Sequence, residues 1–411
     1  MKRMTTLLIG FVTGALLVGC LGAATYYGYV RPRHVAEVKR EAEKDAADRS
    51  SLSRRASELT AEVNEKKTTT AAQTSQPGQT SVNKLSSTAE ATLTKRLQDE
   101  QFVGTLLLVK DGQIIYNQGF GYADAAKKRL NTPQSLFQIG SAQKSLTATL
   151  IAQLIAAGKL HYTDNVHQYY DQIPAARNIT IRQLLDMTSG LKMDDAVPKT
   201  VMTDTQIVQR ALTRMEYLPE NQGHEVYQAV NYVLLAGIIN QLTGQSYEQN
   251  VQAKLFQPLG ITSSQAGFMW DFANQSHRTT SYVSGGQFST YQKIAKESVA
   301  DMYRELGTGN IYATPYTFFR LQQAIIQGKY VDRAAVATLR DSTDGEYGGG
   351  VYSYPTYIYS HGVKNWQELI MTISTDGNSG VMFMSNRAYD YDQARARAAW
   401  YWQFLQNAQV N

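Results

Sequence analysis

Cysteine is nearly absent: Cys20 is the only one in 411 residues, so no disulfide can form within the chain and the fold must rest on its hydrophobic core. Histidine is scarce too. None of the six (His34, His161, His167, His224, His277 and His361) stands at metal-ligand spacing, so no metal is predicted, and no other cofactor is called for. Net charge is missing from most of the chain. Residues 1–88 hold 13 Lys/Arg and 8 Asp/Glu, a balance of +5 that equals the whole net charge. Subtracting from the totals of 40 and 35 leaves 27 of each sign in residues 89–411. The basic composition therefore signals no polyanion site on the larger part, and nucleic acid is not expected as a partner. No internal repeat is visible.

Charge is also missing from a long amino-terminal run. Lys2 and Arg3 precede residues 4–30, which are 27 residues without a charge. About 20 apolar residues cross a bilayer, so this run can span one. It contains Leu17-Val-Gly-Cys20, which fits a lipoprotein processing box. The residues after Cys20 stay apolar, whereas a lipidated cysteine is usually followed by a polar linker, and this favours an uncleaved anchor over a lipoprotein or a cleaved signal. On each reading the membrane is a partner and the rest of the chain lies outside the cytoplasm. The expected organisation is residues 1–3 cytoplasmic, 4–30 anchor, 31–88 stalk and linker, and 89–411 one domain. Residues 31–67 are dense in Glu, Lys, Arg and Ala and read as a solvated helical stalk; 68–87 are rich in Thr, Ser and Gln and read as a flexible spacer.

What the chain does have is a serine and a lysine three residues apart, in Phe137-Gln-Ile-Gly-Ser141-Ala-Gln-Lys144, followed by an apolar pattern of helical period that predicts an amphipathic helix ending at Gly158. Gly140 permits a sharp turn into a helix opening at Ser141. Positions i and i+3 share a helix face, so the Lys144 amine can reach the Ser141 hydroxyl. The free N–H groups of the first turn then surround whatever bonds to the serine. A hydroxyl nucleophile needs a proton acceptor and donors for a developing oxyanion, and this segment can supply much of both. Ser-x-x-Lys alone is weak evidence: Ser81-Val-Asn-Lys84 repeats it by accident in the spacer.

Two hairpins frame the domain. Asp111-Gly112 joins two strand-like runs near its start and Asp376-Gly377 joins two near its end, with a strand expected over 351–361 before them. The stretch between is mostly helical, for example over 231–242 and 316–328, and a last helix is expected over 391–406. This pattern predicts a mixed α/β (α+β) domain. One antiparallel sheet is built from both ends of the domain, flanked by helices, with an inserted helical lobe and a site at the seam.

The 137–160 segment, with Gly119-Phe-Gly121, Ile179-Thr-Ile-Arg-Gln-Leu-Leu, Asn231-Tyr-Val-Leu-Leu-Ala-Gly and Tyr312-Ala-Thr-Pro315, resembles the serine β-lactamase and penicillin-binding-protein superfamily, most closely its class C β-lactamase, DD-peptidase and esterase branch. The resemblance runs through nearly all of residues 100–400. It implies Ser141 as nucleophile, Lys144 as its proton partner and Tyr227 as the tyrosine of a Tyr-x-Asn motif whose asparagine is here Ala229. The third motif, Lys-Thr-Gly or His-x-Gly on the strand lining the site, finds its best match in His361-Gly362-Val363, with the glycine displaced by one. Lys364 follows, near the strand N–H expected to hold the oxyanion. In the family the asparagine holds a substrate amide, which alanine cannot do. The resemblance therefore implies a serine acyl-hydrolase of D-alanyl groups on a cell-envelope polymer, teichoic acid or peptidoglycan. D-alanyl ester removal ranks ahead of D-Ala-D-Ala carboxypeptidase and β-lactamase activity, and a non-catalytic binding or sensor protein is the alternative from another class.

Overall fold

The chain enters its sheet earlier than the sequence predicts. The structure, a computed structural model, describes residues 78–283, 291–342, 344–388 and 391–411, so the expected anchor and stalk lie outside the described residues. Within the stretch read as spacer, β1 (Val82–Asn83) pairs with Asn117 and Tyr116, and Leu85 is buried. Ser81 and Lys84 therefore flank an extended segment, where residues three apart point to opposite faces. A helix, α1 (Ser87–Asp99), follows, capped by Ser86, whose hydroxyl accepts from Ala89 N.

β2 (Gly104–Lys110) and β3 (Gln113–Phe120) form the first predicted hairpin. Asp111 and Gly112 both take positive φ, 50° and 77°, which matches the twist of the strand pair. The chain then passes through β4 (Phe137–Gln138) and a 3₁₀ turn, Gly140–Gln143, into α2 (Lys144–Ala156). The helical lobe includes α3 (Val230–Thr243); β5 (Ala266–Phe268), α4 (Val299–Arg304), β6 (Ile311–Ala313) and α5 (Pro315–Ile326) follow. The last strands are β7 (Tyr347–Gly348), β8 (Val351–Ser353), β9 (Tyr357–Lys364), β10 (Gln367–Ser374) and β11 (Gly380–Ser385), and α6 (Ala394–Asn407) closes the chain.

The main sheet runs β1-β3-β2-β11-β10-β9-β8-β7, antiparallel throughout, and β2 pairs with β11, so the two ends of the domain meet at its centre as the sequence predicts. Side chains alternate between faces along each strand. On β2, Leu106 and Leu108 pack with α1 and α6, while Leu107 and Val109 pack with the lobe that holds α2, α3 and α5. The strand expected over 351–361 is two strands. Pro355 has no N–H for a ladder, and the chain turns back there, with Tyr354 N donating to Tyr357 O.

The helix after Ser141 also differs from expectation. It is not amphipathic: Lys144 to Ala152 are all buried, polar residues included. Burying hydroxyls costs stability unless each is paired. Ser145 Oγ donates to Ala142 O at 2.8 Å, Thr147 Oγ1 to Gly307 O at 2.7 Å and Thr149 Oγ1 to Ser145 O at 2.7 Å. This helix is the core of the lobe, so its first residue, Lys144, is held from all sides.

Candidate active site

A small sheet, β4-β6-β5, delivers the chain to Ser141. Tyr312 pairs with Gln138, and Ile139 N donates to Ile311 O, fixing the backbone just before the turn. Gly140 has φ +51°, and a Cβ there would stand 2.7 Å from Val363 N, so the turn and β9 touch backbone to backbone. Ser141 lies in the 3₁₀ turn rather than in the α-helix, and Lys144 is the first α-helical residue. Lys144 Nζ lies 3.0 Å from Ser141 Oγ and 3.3 Å from the Thr308 main-chain oxygen, to which it donates. A hydroxyl and an amine in contact, one at a cleft and the other sheltered from water, are the arrangement that a nucleophile and its proton acceptor require.

Tyr227 comes from the segment leading into α3. Its ring centroid is 5.0 Å from Lys144 Nζ, and its edge packs on Tyr347 at 5.5 Å. Behind it, burial pushes the phenols of Tyr232 and Tyr347 well up. Tyr227 is 40% exposed and lines the cleft with Ser141.

The register of β9 decides the third motif. A Cβ on Gly362 would collide with the Ile139 carbonyl oxygen, so Gly362 is the glycine of close approach and is not displaced. Alternation then puts Ser360, two residues earlier, on the same face toward the turn, where it lines the cleft. His361 alternates to the other face of the strand, where its Nε2 is 2.9 Å from Glu368 Oε1 and Arg397 is 3.7 Å from the same oxygen, and it too lines the cleft. The motif therefore reads Ser360-His361-Gly362, correcting His361-Gly362-Val363. Lys364 pairs with Gln367 across the two-residue turn Asn365-Trp366, so ladder alternation turns the Val363 N–H away from β10, toward the edge where Gly140 packs. The Ser141 N–H opens a helical turn and has no acceptor within it. These two amides are the candidate oxyanion donors.

Lys364 is not a free cation beside the cleft. Its Nζ is 2.6 Å from Asp301 Oδ2 and 3.1 Å from Glu305 Oε1. Glu305 also pairs with Arg304 at 3.0 Å and accepts from Thr308 Oγ1 at 2.7 Å. Burial would raise the Glu305 carboxyl, but Lys364 first, then Arg304, the Thr308 hydroxyl and Lys144 hold it down to about 2. This ionic cluster braces Thr308, whose carbonyl receives Lys144.

Against this geometry the comparisons are specific. A family model described as Beta-lactamase matches residues 89–405. The chain belongs to the beta-lactamase family. PbpX of Bacillus subtilis (strain 168), a penicillin-binding protein by provisional name, is 31% identical over 291 residues, 71% of this chain and 72% of the relative. A teichoic acid D-alanine hydrolase of Staphylococcus aureus (strain MRSA252) is 30% identical over 233 residues, 57% of this chain and 56% of that protein. Among solved structures, FmtA from Staphylococcus aureus superposes with a TM-score of 0.69 at 24% identity, over 80% of this chain and 93% of that one.

This beta-lactamase-family protein is a serine hydrolase. Ala229 is half-buried at the N-cap of α3 and offers no side-chain hydrogen bond there. Its neighbour Asn231 cannot take over, because it is fully buried and engaged with Ser189 Oγ at 2.5 Å, Met187 Sδ at 3.3 Å and Gln228 O at 3.0 Å. Ser360, Glu305 and Thr308 escaped the sequence reading. Ser360 was legible by period two from Gly362, had the glycine been assigned by close approach. Glu305 and Thr308 follow Lys144 by some 160 residues with no local pattern, and only folding brings them near it.

Proposed function

We propose that this hydrolase is membrane-anchored through residues 4–30 and removes D-alanyl groups esterified to a cell-envelope polymer, teichoic acid before any other. The observation that carries the reading is the Lys144–Ser141 contact of 3.0 Å in a cleft whose strand presents Ser360 where the family's motif has lysine or histidine. A D-Ala-D-Ala peptide, like a β-lactam, carries a carboxylate next to the scissile bond and an amide behind it. An ester on an alditol carries neither, and so loses nothing at Ser360 and Ala229. The teichoic acid D-alanine hydrolase among the relatives supports the same substrate.

In the proposed course Lys144, aided by Tyr227, takes the proton from Ser141 Oγ as it attacks the ester carbonyl. The oxyanion sits at the Ser141 and Val363 amides. The C–O bond breaks, the proton passes to the departing alcohol, and water then attacks the acyl-serine under the same base to release D-alanine. The test is incubation of the full-length protein with D-alanylated teichoic acid and with muropeptides ending in D-Ala-D-Ala. D-Alanine is expected from the first at a rate at least about tenfold higher, as one lost buried partner alone would give. Faster release from the muropeptides would replace this reading with the carboxypeptidase. For the anchor, Cys20→Ala is expected to stay in the membrane fraction with unchanged mobility, and its release into the medium would establish a lipoprotein.

A further inference from the structure

Beyond the nucleophile, the cleft has an aromatic wall with a cation mounted on it. The cavity is about 280 Å³ and is lined by Ser141 and Tyr227 on one side and by Tyr352, Tyr359 and Arg395 on the other. Arg395, from the first turn of α6, is exposed, but its guanidinium is held in place. It lies 4.4 Å from the Tyr352 ring centroid and 5.8 Å from that of Tyr359, and Nη1 donates to Tyr354 Oη at 3.1 Å. Tyr354 in turn stacks on Tyr357, and Tyr357 packs at a tilt on Trp402 of the same helix. All three tyrosines around Arg395 come from the β8–β9 hairpin, so the cation is fixed to the strand that bears Ser360 and Val363.

Among the described residues no carboxylate pairs with Arg395, unlike Lys364, Arg304 and Arg397. Burial works against its charge, but the neighbouring tyrosines, Tyr354 first, hold its pKa above the ordinary arginine value. A guanidinium carries five N–H donors in a planar fork that suits a phosphate oxygen pair, and it is weakly hydrated, so a stacked arginine gives up little water on binding an anion. Asp392, one turn earlier, lines the same cavity. The cleft thus holds a fixed guanidinium, which suits the phosphate of a phosphodiester polymer.

We propose that Arg395, clamped by Tyr352, Tyr354 and Tyr359, is a subsite for the phosphodiester adjoining the esterified alditol. It makes the hydrolase prefer an ester carried on a polyanion to the same ester on a neutral alcohol. The proposal rests on the D-alanyl esterase reading for its substrate, but not for the anion site itself.

The experiment compares full-length wild-type protein with Arg395→Gln and Arg395→Lys on D-alanylated polyglycerol phosphate and on D-alanine methyl ester. For Arg395→Gln, kcat/KM on the polymer is expected to fall roughly tenfold to a hundredfold, mostly through KM, as for a lost charge-assisted hydrogen bond. The loss on the methyl ester should be at least fivefold smaller. Arg395→Lys should recover part of the loss, because it keeps a point charge but not the fork. Equal losses on both substrates, or none on the polymer, overturn the subsite. If wild-type protein cleaves neither ester, the esterase reading has failed. The subsite is then judged by sedimentation with polymer stripped of D-alanine: retention by wild type but not by Arg395→Gln supports it, and equal retention overturns it.

Discussion

Gly362 of β9 lies so close to Ile139 that a methyl group on it would collide with the Ile139 carbonyl oxygen. That contact seats the strand on the turn before Ser141 and sets the Val363 N–H against Gly140, the neighbour of the proposed nucleophile. Gly362→Ala is therefore expected to push β9 away from the turn. Overpacking of this kind costs about 1–3 kcal/mol, and the Tm should fall by several degrees. Acylation of Ser141 by a fluorophosphonate probe should slow by more than the small Tm change explains. Normal acylation in a destabilised variant would show that the strand amide is dispensable.

Ser141→Ala should abolish labelling by the same probe while leaving the fold intact. Lys144→Ala and Tyr227→Phe should each lower the rate of D-alanine release by about 10²–10⁴, as for proton-transfer groups. Tyr227→Phe keeps the ring against Lys144, so its loss isolates the hydroxyl. A Tyr227→Phe rate within twofold of wild type would leave Lys144 as the only proton carrier.

Ser360 and Ala229 are expected to set substrate choice together. Ala229→Asn should speed peptide or penicillin acylation by about one decade, since one hydrogen-bond partner is restored to a substrate amide. Ser360→Lys should add to it by placing a cation on the cleft face of β9. Neither should help a D-alanyl ester. If the double variant acylates with penicillin no faster than wild type, the cleft excludes these substrates by shape and not by missing partners.

The cluster around Glu305 predicts an acid limit to stability. The Glu305 carboxyl, held down to about 2 by Lys364 and Arg304, lies below its ordinary value of 4.5. A lowered folded pKa means that the contribution is complete above about 4.5 and is lost as pH falls toward about 2. Glu305→Gln should destabilise the protein by roughly 3–5 kcal/mol at neutral pH, as for breaking a buried pair. The gap between wild type and variant in denaturant titrations should close between pH 4.5 and 2. A gap that stays constant to pH 2 would show that the carboxylate charge is not what stabilises the network.

Much of this protein was determined by short stretches of its sequence. Asp111-Gly112 and Asp376-Gly377 dictated two hairpins through local backbone preference, and the spacing of Ser141 and Lys144 dictated their contact, because one helical turn separates them. The tertiary structure decided what depends on distant approach. The glycine of the third motif was misassigned because a close contact between Gly362 and Ile139, more than 200 residues apart, leaves no mark in the local text. Lys364 stands beside the strand N–H expected to hold the oxyanion, but only folding pairs its side chain with Asp301 and Glu305, and His361, which lines the cleft, is tied to Glu368 only once the strands pair. The helix after Ser141 looked amphipathic because its hydroxyls count as polar in a sequence, whereas in the fold each of Ser145, Thr147 and Thr149 is hydrogen-bonded and buried. Local geometry is written in neighbouring residues, but partners and burial are set only when the two ends of the domain meet in one sheet and close it over the lobe.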